Sequence, residues 1–391
     1  MSEACRQCAR RDWLLAKLGV GLDFRARDLS RFWDLLELPD RELIDAVGGR
    51  RSSELHDAYA RWKPERTGHQ ADVQTICRHR GAYPERLRDR DLAPRMLGVR
   101  GGIDRMREML GGAVVAIVGS ARATDYGMQS AHALARGLAA SGVTVIGGFG
   151  EGIPRAVHTG ALESRQGTLT VMAGGLRRCS PAWCEALYRR ILDCGCAISE
   201  TPLSSHAPRW GVRACARTLA LLAEMVIVVE AGEDQHELAC ARIAQRLGRR
   251  VAAVPGRVSS PASRGANGLL MEGASLVRDP WDALDLLYGA GGHPDRELGA
   301  GLGPPLQRVL DRVGDGRDTL AKLTGHGSES SDDIALSLAE LELQGLLVRG
   351  DGGRYVPAVA DTRGTVPAGS PSRVRLTALD GPVRDSDSRH E

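Results

Sequence analysis

The sequence predicts an α/β protein with a Rossmann-like, doubly wound parallel sheet, an N-terminal helical domain and a C-terminal winged-helix-like domain. Between residues 110 and 290, short β-branched runs alternate with helical stretches, a pattern typical of βαβ units. These runs lack alternation of polar and apolar residues, as expected of strands buried on both faces. The segments on either side show helical spacing instead. Together these observations favour a central sheet with helices on both faces.

The central domain contains six predicted strands and five predicted helices. The strands are Ala113–Val118, Val143–Ile146, Leu169–Met172, Ala197–Ser199, Met225–Val229 and Val251–Val254. The helices lie near residues 128–140, 154–164, 184–193, 213–223 and 237–247. Since helices separate the strands at this period, we expect parallel pairing.

Spacing and composition set the boundaries of the other segments. In the first of them, Trp13, Leu14, Leu18 and Leu22 recur at helical spacing. The predicted segments are an N-terminal helical domain (1–75), a connector (76–109), the Rossmann-like domain (110–290), a linker (291–303), a winged-helix-like domain (304–358) and a disordered tail (359–391). The tail prediction follows from its content of Ser, Pro, Gly and charge without periodicity.

Composition excludes several classes of protein. The chain has 391 residues, of which 42% are hydrophobic and 26% charged, which rules out a mainly disordered or fibrous protein. No apolar run approaches the ~20 residues that span a bilayer, and the N-terminus lacks a signal pattern, so we expect a cytoplasmic protein without a membrane partner. The net charge of +3 is too small to indicate a nucleic-acid partner by itself. The nine cysteines are expected to be reduced thiols.

Three glycine-rich loops follow the first three predicted strands. Gly119-Ser120 begins the first loop, with Arg122 close behind, and the other loops contain residues 147–152 and 173–175. In an open α/β sheet, ligands bind outside the carboxyl ends of the strands, where helix N-termini offer free N–H groups to anions. The loops therefore predict a crevice that follows phosphates, with tight turn chemistry as the alternative. Neither a dinucleotide fingerprint nor a Walker loop is present.

No set of side chains indicates catalysis. His158 could be a base, but a single histidine beside Ala156, Ala161 and Leu162 is more typical of a packed residue. Glu200 and Glu230 end strands on the same rim, and they are equally suited to capping helices. We therefore expect neither an enzyme nor a cofactor.

Four residues near the N-terminus have metal-ligand character. Cys5-x-x-Cys8 is half of a zinc pattern, and Cys77-x-His79 could be the other half. Nearly seventy residues separate the pairs, so only the fold could bring them together. From the sequence, ordinary thiols on the first helix are the favoured interpretation, and no metal is predicted.

The third helix of the winged-helix-like domain is acidic. Residues 331–342 contain Asp332, Asp333, Glu340 and Glu342 and no basic residue. Because phosphates repel such a helix, we expect protein contacts or packing here rather than reading of the major groove.

The motifs of the central domain, in their order, resemble those of the DNA-processing protein A family (DprA, also called Smf). The resemblance covers roughly residues 80–358. The matching segments are AIVGS at 116–120 with YG at 126–127, GGFGEGI at 147–153 with AVHTGAL at 156–162, ISETP at 198–202, VVEA at 228–231, GRRVAAVPG at 248–256, GANGLL at 265–270 with EGA at 272–274, and the C-terminal stretch 341–355.

The resemblance implies a cytoplasmic, homodimeric protein that binds single-stranded DNA. Such proteins protect incoming DNA in natural transformation and help to load a RecA-type recombinase, with no established catalytic reaction. On this sequence the implied DNA-binding residues are Gly119, Ser120, Arg122, Gly148, Phe149, Arg155, Arg213, Arg217 and Asn267. Because single strands stack on aromatic rings, Phe149, Trp210 and Tyr126 are candidate stacking platforms.

The sequence departs from the family pattern at several positions that would face DNA. These positions are Ala121, Glu151, Pro154, Cys215-Ala216 and Gln235-His236-Glu237. Each change removes a donor or adds negative charge, so we expect weaker DNA binding. Two alternatives stay open: a sensor or phosphoribohydrolase-like enzyme for a nucleotide-derived ligand, and a partner-binding paralogue without DNA binding.

Overall fold

A computed structural model provides the structure of the chain. It describes residues 4–26, 29–64, 72–88, 92–164, 167–177, 184–202, 207–233, 235–289, 303–314, 317, 319–324, 330–343, 347–349 and 355–357. The described chain forms two compact units, one within residues 1–296 and one within 297–391. The predicted tail and nearly all of the predicted linker lie outside the described residues.

Four helices begin the described chain: α1 (Arg6–Arg25), α2 (Leu29–Glu37), α3 (Asp40–Val47) and α4 (Ser52–Arg61). The i, i+4 spacing of Leu14, Leu18 and Leu22 produces one apolar stripe on α1, and all three side chains are buried. They share a core with Phe32 and Leu43. The helical spacing of Leu14, Leu18 and Leu22 in the sequence therefore agrees with the buried face of α1.

Nine strands form one sheet in the described chain. They are β1 (Val73–Cys77), β2 (Met96–Arg100), β3 (Val114–Gly119), β4 (Thr144–Gly148), β5 (Leu169–Val171), β6 (Cys196–Ser199), β7 (Met225–Val229), β8 (Arg250–Ala253) and β9 (Ser275–Leu276). Their order is β1-β2-β6-β5-β4-β3-β7-β8-β9. The seven strands that run from β6 to β9 in this order all pair parallel with their neighbours. At the other end of the sheet, β2 is antiparallel to β6, and β1 is antiparallel to β2.

Eight α-helices accompany the sheet in the described residues. They are α5 (Ile103–Gly111), α6 (Asp125–Ala140), α7 (Ile153–Ala161), α8 (Glu185–Cys194), α9 (Arg209–Leu222), α10 (Gln235–Arg246), α11 (Arg264–Met271) and α12 (Pro280–Tyr288). Alternate residues of β3 enter different cores: Val114 and Ala116 pack with α5, α9, α10 and α11, while Val115 and Ile117 pack with α6, α7 and α12. Both faces of the sheet are therefore covered, and the doubly wound prediction is confirmed.

The six predicted strands and five predicted helices agree closely with the structure, with most boundaries within one or two residues. Strands β1, β2 and β9 were not predicted. In particular, the segment 76–109, expected to be a connector, contains β2 and the end of β1, which pair along all five residues from Val73↔Arg100 to Cys77↔Met96. These strands are short and mixed in polarity, so their pairing depends on the edge that β6 offers.

The described residues of the C-terminal unit form three helices and a pair of strands. These elements are α13 (Pro304–Gly314), α14 (Leu320–Thr324), α15 (Ser331–Leu343), β10 (Leu347–Arg349) and β11 (Tyr355–Pro357). The two strands pair antiparallel, and Val309, Leu323 and Leu338 belong to a core of this unit's own residues. The element content matches the prediction, and the winged-helix arrangement itself stays a prediction.

No helix in the described part of the chain has the length and apolar character that a membrane span requires.

Candidate nucleic-acid interface

The direction in which successive strands are added to the sheet reverses between β3 and β7. In a doubly wound sheet, the loops that leave the carboxyl ends of two such strands diverge and form a crevice. From β3 the chain proceeds to β4 on one side, while β7 pairs with β3 on the other side. In open α/β sheets such a switch point is the usual place for a ligand. Ser120 joins the two sides, because its N–H donates to the carbonyl of Glu230 at 2.8 Å and its carbonyl accepts from the N–H of Ile153 at 3.0 Å.

Gly119 serves packing at this point. A Cβ at Gly119 would overlap the carbonyl oxygen of Val229, so only glycine lets the two strand ends approach. Ser120 is 7% exposed, and its Oγ accepts the N–H of Arg122 at 3.1 Å. Both residues shape the loop that the sequence assigns to DNA, and neither presents a free side chain to a ligand.

Glu230 occupies the N-terminal end of α6. Its carboxylate, on a residue only 4% exposed, accepts from the N–H of Thr124 at 2.7 Å and from its Oγ1 at 2.6 Å. A Cβ at Gly127 would overlap this carboxylate. The carboxylate of Glu230 thus supplies the negative charge that is stabilising at a helix N-terminus. One N–H at this helix end, that of Thr124, is therefore already bound by Glu230, which matches the helix-capping alternative for this residue.

Glu230 also has an unusual backbone conformation. It is the only described residue other than glycine with a positive φ, at 44°. Such a conformation costs about 1 kcal/mol or more in a residue with a side chain. The hydrogen bonds of the carboxylate hold the residue in place.

In the described chain, six exposed arginines follow the carboxyl ends of β3, β4, β5, β6 and β8; we call this set the arginine rim. Its members are Arg122, Arg155, Arg177, Arg209, Arg257 and Arg264. Of these, only Arg155 forms an ion pair within the described chain, at 3.4 Å from Glu151. The carboxylates of Glu200 and Glu230, which also follow strands of this edge, are buried and paired. The rim therefore places six guanidinium groups at this edge, beside the exposed acids Asp125 and Glu233, while the carboxylates of Glu200 and Glu230 are buried.

Two arginines that the sequence places among the DNA-binding residues are buried instead. Arg217 is 4% exposed, donates from Nη2 to Glu200 Oε2 at 2.5 Å, and lies 4.0 Å from the centroid of the Trp33 ring. Arg213 is 8% exposed, and burial lowers its pKa. The reason is that α9 lies between the sheet and the N-terminal helices, whose core includes Trp210. Arg213 and Arg217 are therefore not available to phosphate on the rim.

The three aromatic candidates differ in accessibility. Trp210 is 2% exposed and cannot stack with a base. Phe149 is partly buried, and its ring makes an edge contact with Tyr188 at a centroid distance of 5.5 Å. Tyr126 is 51% exposed, and its hydroxyl donates to the carbonyl of Pro255 at 2.8 Å, which fixes its position beside the β8 loop. Tyr126 alone of the three combines an exposed ring with a place on the rim.

Comparison with known proteins identifies the family. The family model of DNA recombination-mediator protein A matches residues 74–288, over half of the chain. The chain belongs to this family. A "Putative DNA processing protein DprA" of Mycobacterium tuberculosis (strain ATCC 25618 / H37Rv) is 37% identical over 249 residues, which cover 61% of this chain and 62% of that relative. The chain thus spans less than two thirds of the length of this relative.

More distant relatives support the same assignment. "Protein Smf" of Escherichia coli (strain K12) is 29% identical over 280 residues, covering 69% of this chain and 74% of the relative. The X-ray structure of DNA processing protein A from Streptococcus pneumoniae superposes with a TM-score of 0.57 at 25% identity, covering 73% of this chain and 98% of that one. The recognised motifs and the central α/β fold are therefore confirmed. The family description names a recombination mediator.

Two further positions implied by the family resemblance serve the fold. Asn267 pairs with the backbone of Gly256: its Nδ2 donates to the carbonyl at 3.0 Å and its Oδ1 accepts the N–H at 3.1 Å. The carbonyl of Gly148 accepts from Nε2 of His158 at 2.8 Å. Both contacts hold loops of the rim in shape.

His158 is a packed residue, as the sequence predicts. It is fully buried, and its Nδ1 lies 3.0 Å from the hydroxyl of Thr168. Burial lowers the pKa of His158 to about 4, so the ring is neutral at neutral pH. No observation on this side chain favours the nucleotide-hydrolysing alternative.

Sequence reasoning missed four members of the rim: Arg177, Arg209, Arg257 and Arg264. None stands in the family motifs as a distinctive residue, but each follows a predicted strand or begins the helix after it. A search for arginine at the carboxyl ends of strands would have found them. The metal-ligand candidates Cys5, Cys8, Cys77 and His79 are brought together at a separate place, which is described below.

Proposed function

We propose that this chain binds single-stranded DNA along the arginine rim, protects incoming DNA in natural transformation and assists the loading of a RecA-type recombinase. The observation that carries the DNA-binding part is the exposure of six arginines at the carboxyl edge of the sheet, five of them without an ion pair in the described chain. Guanidinium groups bind phosphate with paired donors. The family description, a recombination mediator, supports a role in recombination for the bound single strand.

The rim suits a flexible single strand better than a duplex. Its arginines stand on separate loops around a crevice, and Tyr126 offers an exposed ring beside them. Single strands combine contacts to phosphates with base stacking on aromatic side chains. Helix α15 of the C-terminal unit is a poor recognition helix for a duplex, because its first turn contains Asp332 and Asp333.

The proposal is tested with labelled oligo-dT and the full chain, by fluorescence anisotropy at several salt concentrations. We expect Arg122→Ala with Arg257→Ala to weaken binding and to reduce the magnitude of the salt slope by about 0.7 for each phosphate that the variant no longer neutralises. The matched control is Arg107→Ala with Arg246→Ala. Arg107 lies on α5 and Arg246 ends α10, and both are exposed. Because these helices lead into the amino ends of β3 and β8, the control removes the same charge from the edge of the sheet opposite the arginine rim.

Three results separate the parts of the proposal. Equal losses of affinity in the two double variants would contradict a specific rim and indicate general attraction by charge. Equal affinity for duplex DNA of the same length would contradict the preference for single strands. Assembly of a RecA-type recombinase on oligo-dT is then followed with and without the chain, and assembly that is no faster with the chain would contradict the mediator role.

The homodimer implied by the resemblance belongs to the same proposal. Sedimentation equilibrium of the full chain is expected to give about twice the mass of one chain. A single monomeric species across the concentration range would contradict this part while leaving the DNA-binding part standing.

A further inference from the structure

Two distant segments bring three cysteines and a histidine together at the start of α1. Cys5 precedes the helix and Cys8 lies in its first turn, while Cys77 ends β1 and His79 follows in the turn toward β2. The Sγ atoms of Cys5 and Cys8 each lie 3.4 Å from Nδ1 of His79. The four potential ligand atoms all lie within 4.8 Å of one another.

These distances suit one tetrahedral metal ion. With Zn–S bonds of ~2.3 Å and Zn–N bonds of ~2.0–2.1 Å, ligand atoms at tetrahedral angles are separated by roughly 3.5–3.8 Å. The two observed S···N distances of 3.4 Å are close to this value. Three thiols and one imidazole also form one of the common structural zinc sets. Clusters of several irons require a wider spread of thiolates around a larger core.

The backbone supports thiolates at this position. The N–H of Cys5 points to Sγ of Cys77 at 3.3 Å. The N-terminal end of α1, which has no acidic residue in its first turn, favours negative charge nearby. Cys8 and Cys77 are 3% and 0% exposed, so a metal bound there would be shielded from solvent on one side.

The surrounding charge complements the same group. Three thiolates and one zinc ion carry a net charge of −1. A recess that includes Cys8 and His79 is also lined by Arg11, Arg78 and Arg95. Arg11 pairs with an aspartate and Arg95 with a glutamate, whereas Arg78 has no ion pair within the described chain. Arg78 can therefore balance the negative charge of the site from beside the ligands.

We propose that Cys5, Cys8, Cys77 and His79 bind one zinc ion, which joins the N-terminal helices to the β1–β2 edge of the sheet. Four protein ligands leave no open position, so the site is structural and not catalytic. Its two halves come from α1 and from the β1–β2 hairpin, and zinc would tie these elements together across some seventy residues of chain. This role is independent of the arginine rim.

The test is elemental analysis of the full chain purified without added metal. We expect about one zinc per chain. Cys8→Ser is expected to lose it, whereas Cys194→Ser, which changes an exposed cysteine on α8 away from the cluster, is expected to retain it. His79→Cys converts the set to four thiolates and is expected to keep the metal. After exchange into cobalt, His79→Cys should shift the visible absorption bands relative to those of the unchanged chain.

Each other result would overturn the proposal. Less than about a tenth of a zinc per chain would contradict it, provided that added zinc also fails to bind with the expected stoichiometry. Iron with acid-labile sulfide would assign the residues to a cluster instead. Zinc that persists in Cys8→Ser at full stoichiometry, or a cobalt spectrum identical in His79→Cys, would show that the metal lies elsewhere. Oligo-dT binding is measured on the same samples, so failure here is distinguishable from failure of the rim.

Discussion

At the scale of single residues, arginine has two opposite roles near the carboxyl edge of the sheet. Arg122 is exposed and has no ion pair in the described chain, whereas Arg217 is buried between Glu200 and the Trp33 ring. A buried ion pair stabilises only as a pair, because either partner alone leaves a charge without compensation. Position in the chain does not distinguish these two arginines; packing does.

This difference predicts the result of removing the Arg217 charge. Arg217→Met should lower the free energy of unfolding by about 3–5 kcal/mol, because Glu200 then stays buried without a partner. Arg217→Met with Glu200→Gln should recover part of that loss. Urea unfolding followed by circular dichroism measures both variants. Arg122→Met is the control, for which we expect a change within about 0.5 kcal/mol.

The outcome also tests the assignment of Arg217 to the interior. A folded Arg217→Met of normal stability that no longer binds oligo-dT would contradict burial and return Arg217 to the DNA-binding surface.

At the scale of elements, the junction of β3, β7 and α6 depends on one side chain. Glu230 follows β7, yet it caps the helix that follows β3, by accepting from Thr124. It does so with a positive φ. The carboxylate therefore fixes the geometry of the crevice from which the rim loops extend.

Two substitutions at position 230 separate the cap from the backbone conformation. Glu230→Ala should destabilise the chain by about 1–3 kcal/mol, because the N–H and the hydroxyl of Thr124 both lose their charged acceptor while the positive φ is retained. Glu230→Gly loses the same cap but relieves the backbone, so it should destabilise less than Glu230→Ala. Thermal unfolding of both variants measures the difference.

Asp125→Ala is the control for charge alone, since Asp125 is an exposed acid in the first turn of the same helix. We expect a loss of about 0.3–1 kcal/mol for this variant. If Glu230→Gly were the less stable of the two variants at 230, the strain attributed to Glu230 would be absent.

At the scale of the whole molecule, the chain has two compact units with separate cores. Leu338 belongs to a core built only from residues of the C-terminal unit, while Leu138 belongs to the core between α6 and the sheet. Leu→Ala at either buried position creates a cavity that costs about 2–5 kcal/mol.

Hydrogen exchange on the full chain should localise each effect. Leu338→Ala is expected to reduce amide protection within residues 303–357 and to leave the protection of β3, β4 and β7 unchanged. Leu138→Ala is the reciprocal variant. Loss of protection in the sheet on changing Leu338 would mean that the two units unfold together.

The sequence predicted the central fold well because its signals are local. Uniformly apolar runs separated by amphipathic helices indicate buried parallel strands wherever they occur. The edge strands β1 and β2 were not predicted because their residues are mixed in polarity. They form strands because β2 pairs with the backbone of β6, and only the assembled sheet provides that partner.

The candidate sites divide in the same way. By itself, the sequence determined the family, the glycine-rich loops and two of the rim arginines, Arg122 and Arg155, since these depend on residue identity and order. Only the tertiary structure decided which arginines reach solvent, because the N-terminal helices cover α9 and bury Arg213 and Arg217. It also brought Cys5 and Cys8 to Cys77 and His79, because contact across seventy residues depends on how helices pack against the sheet.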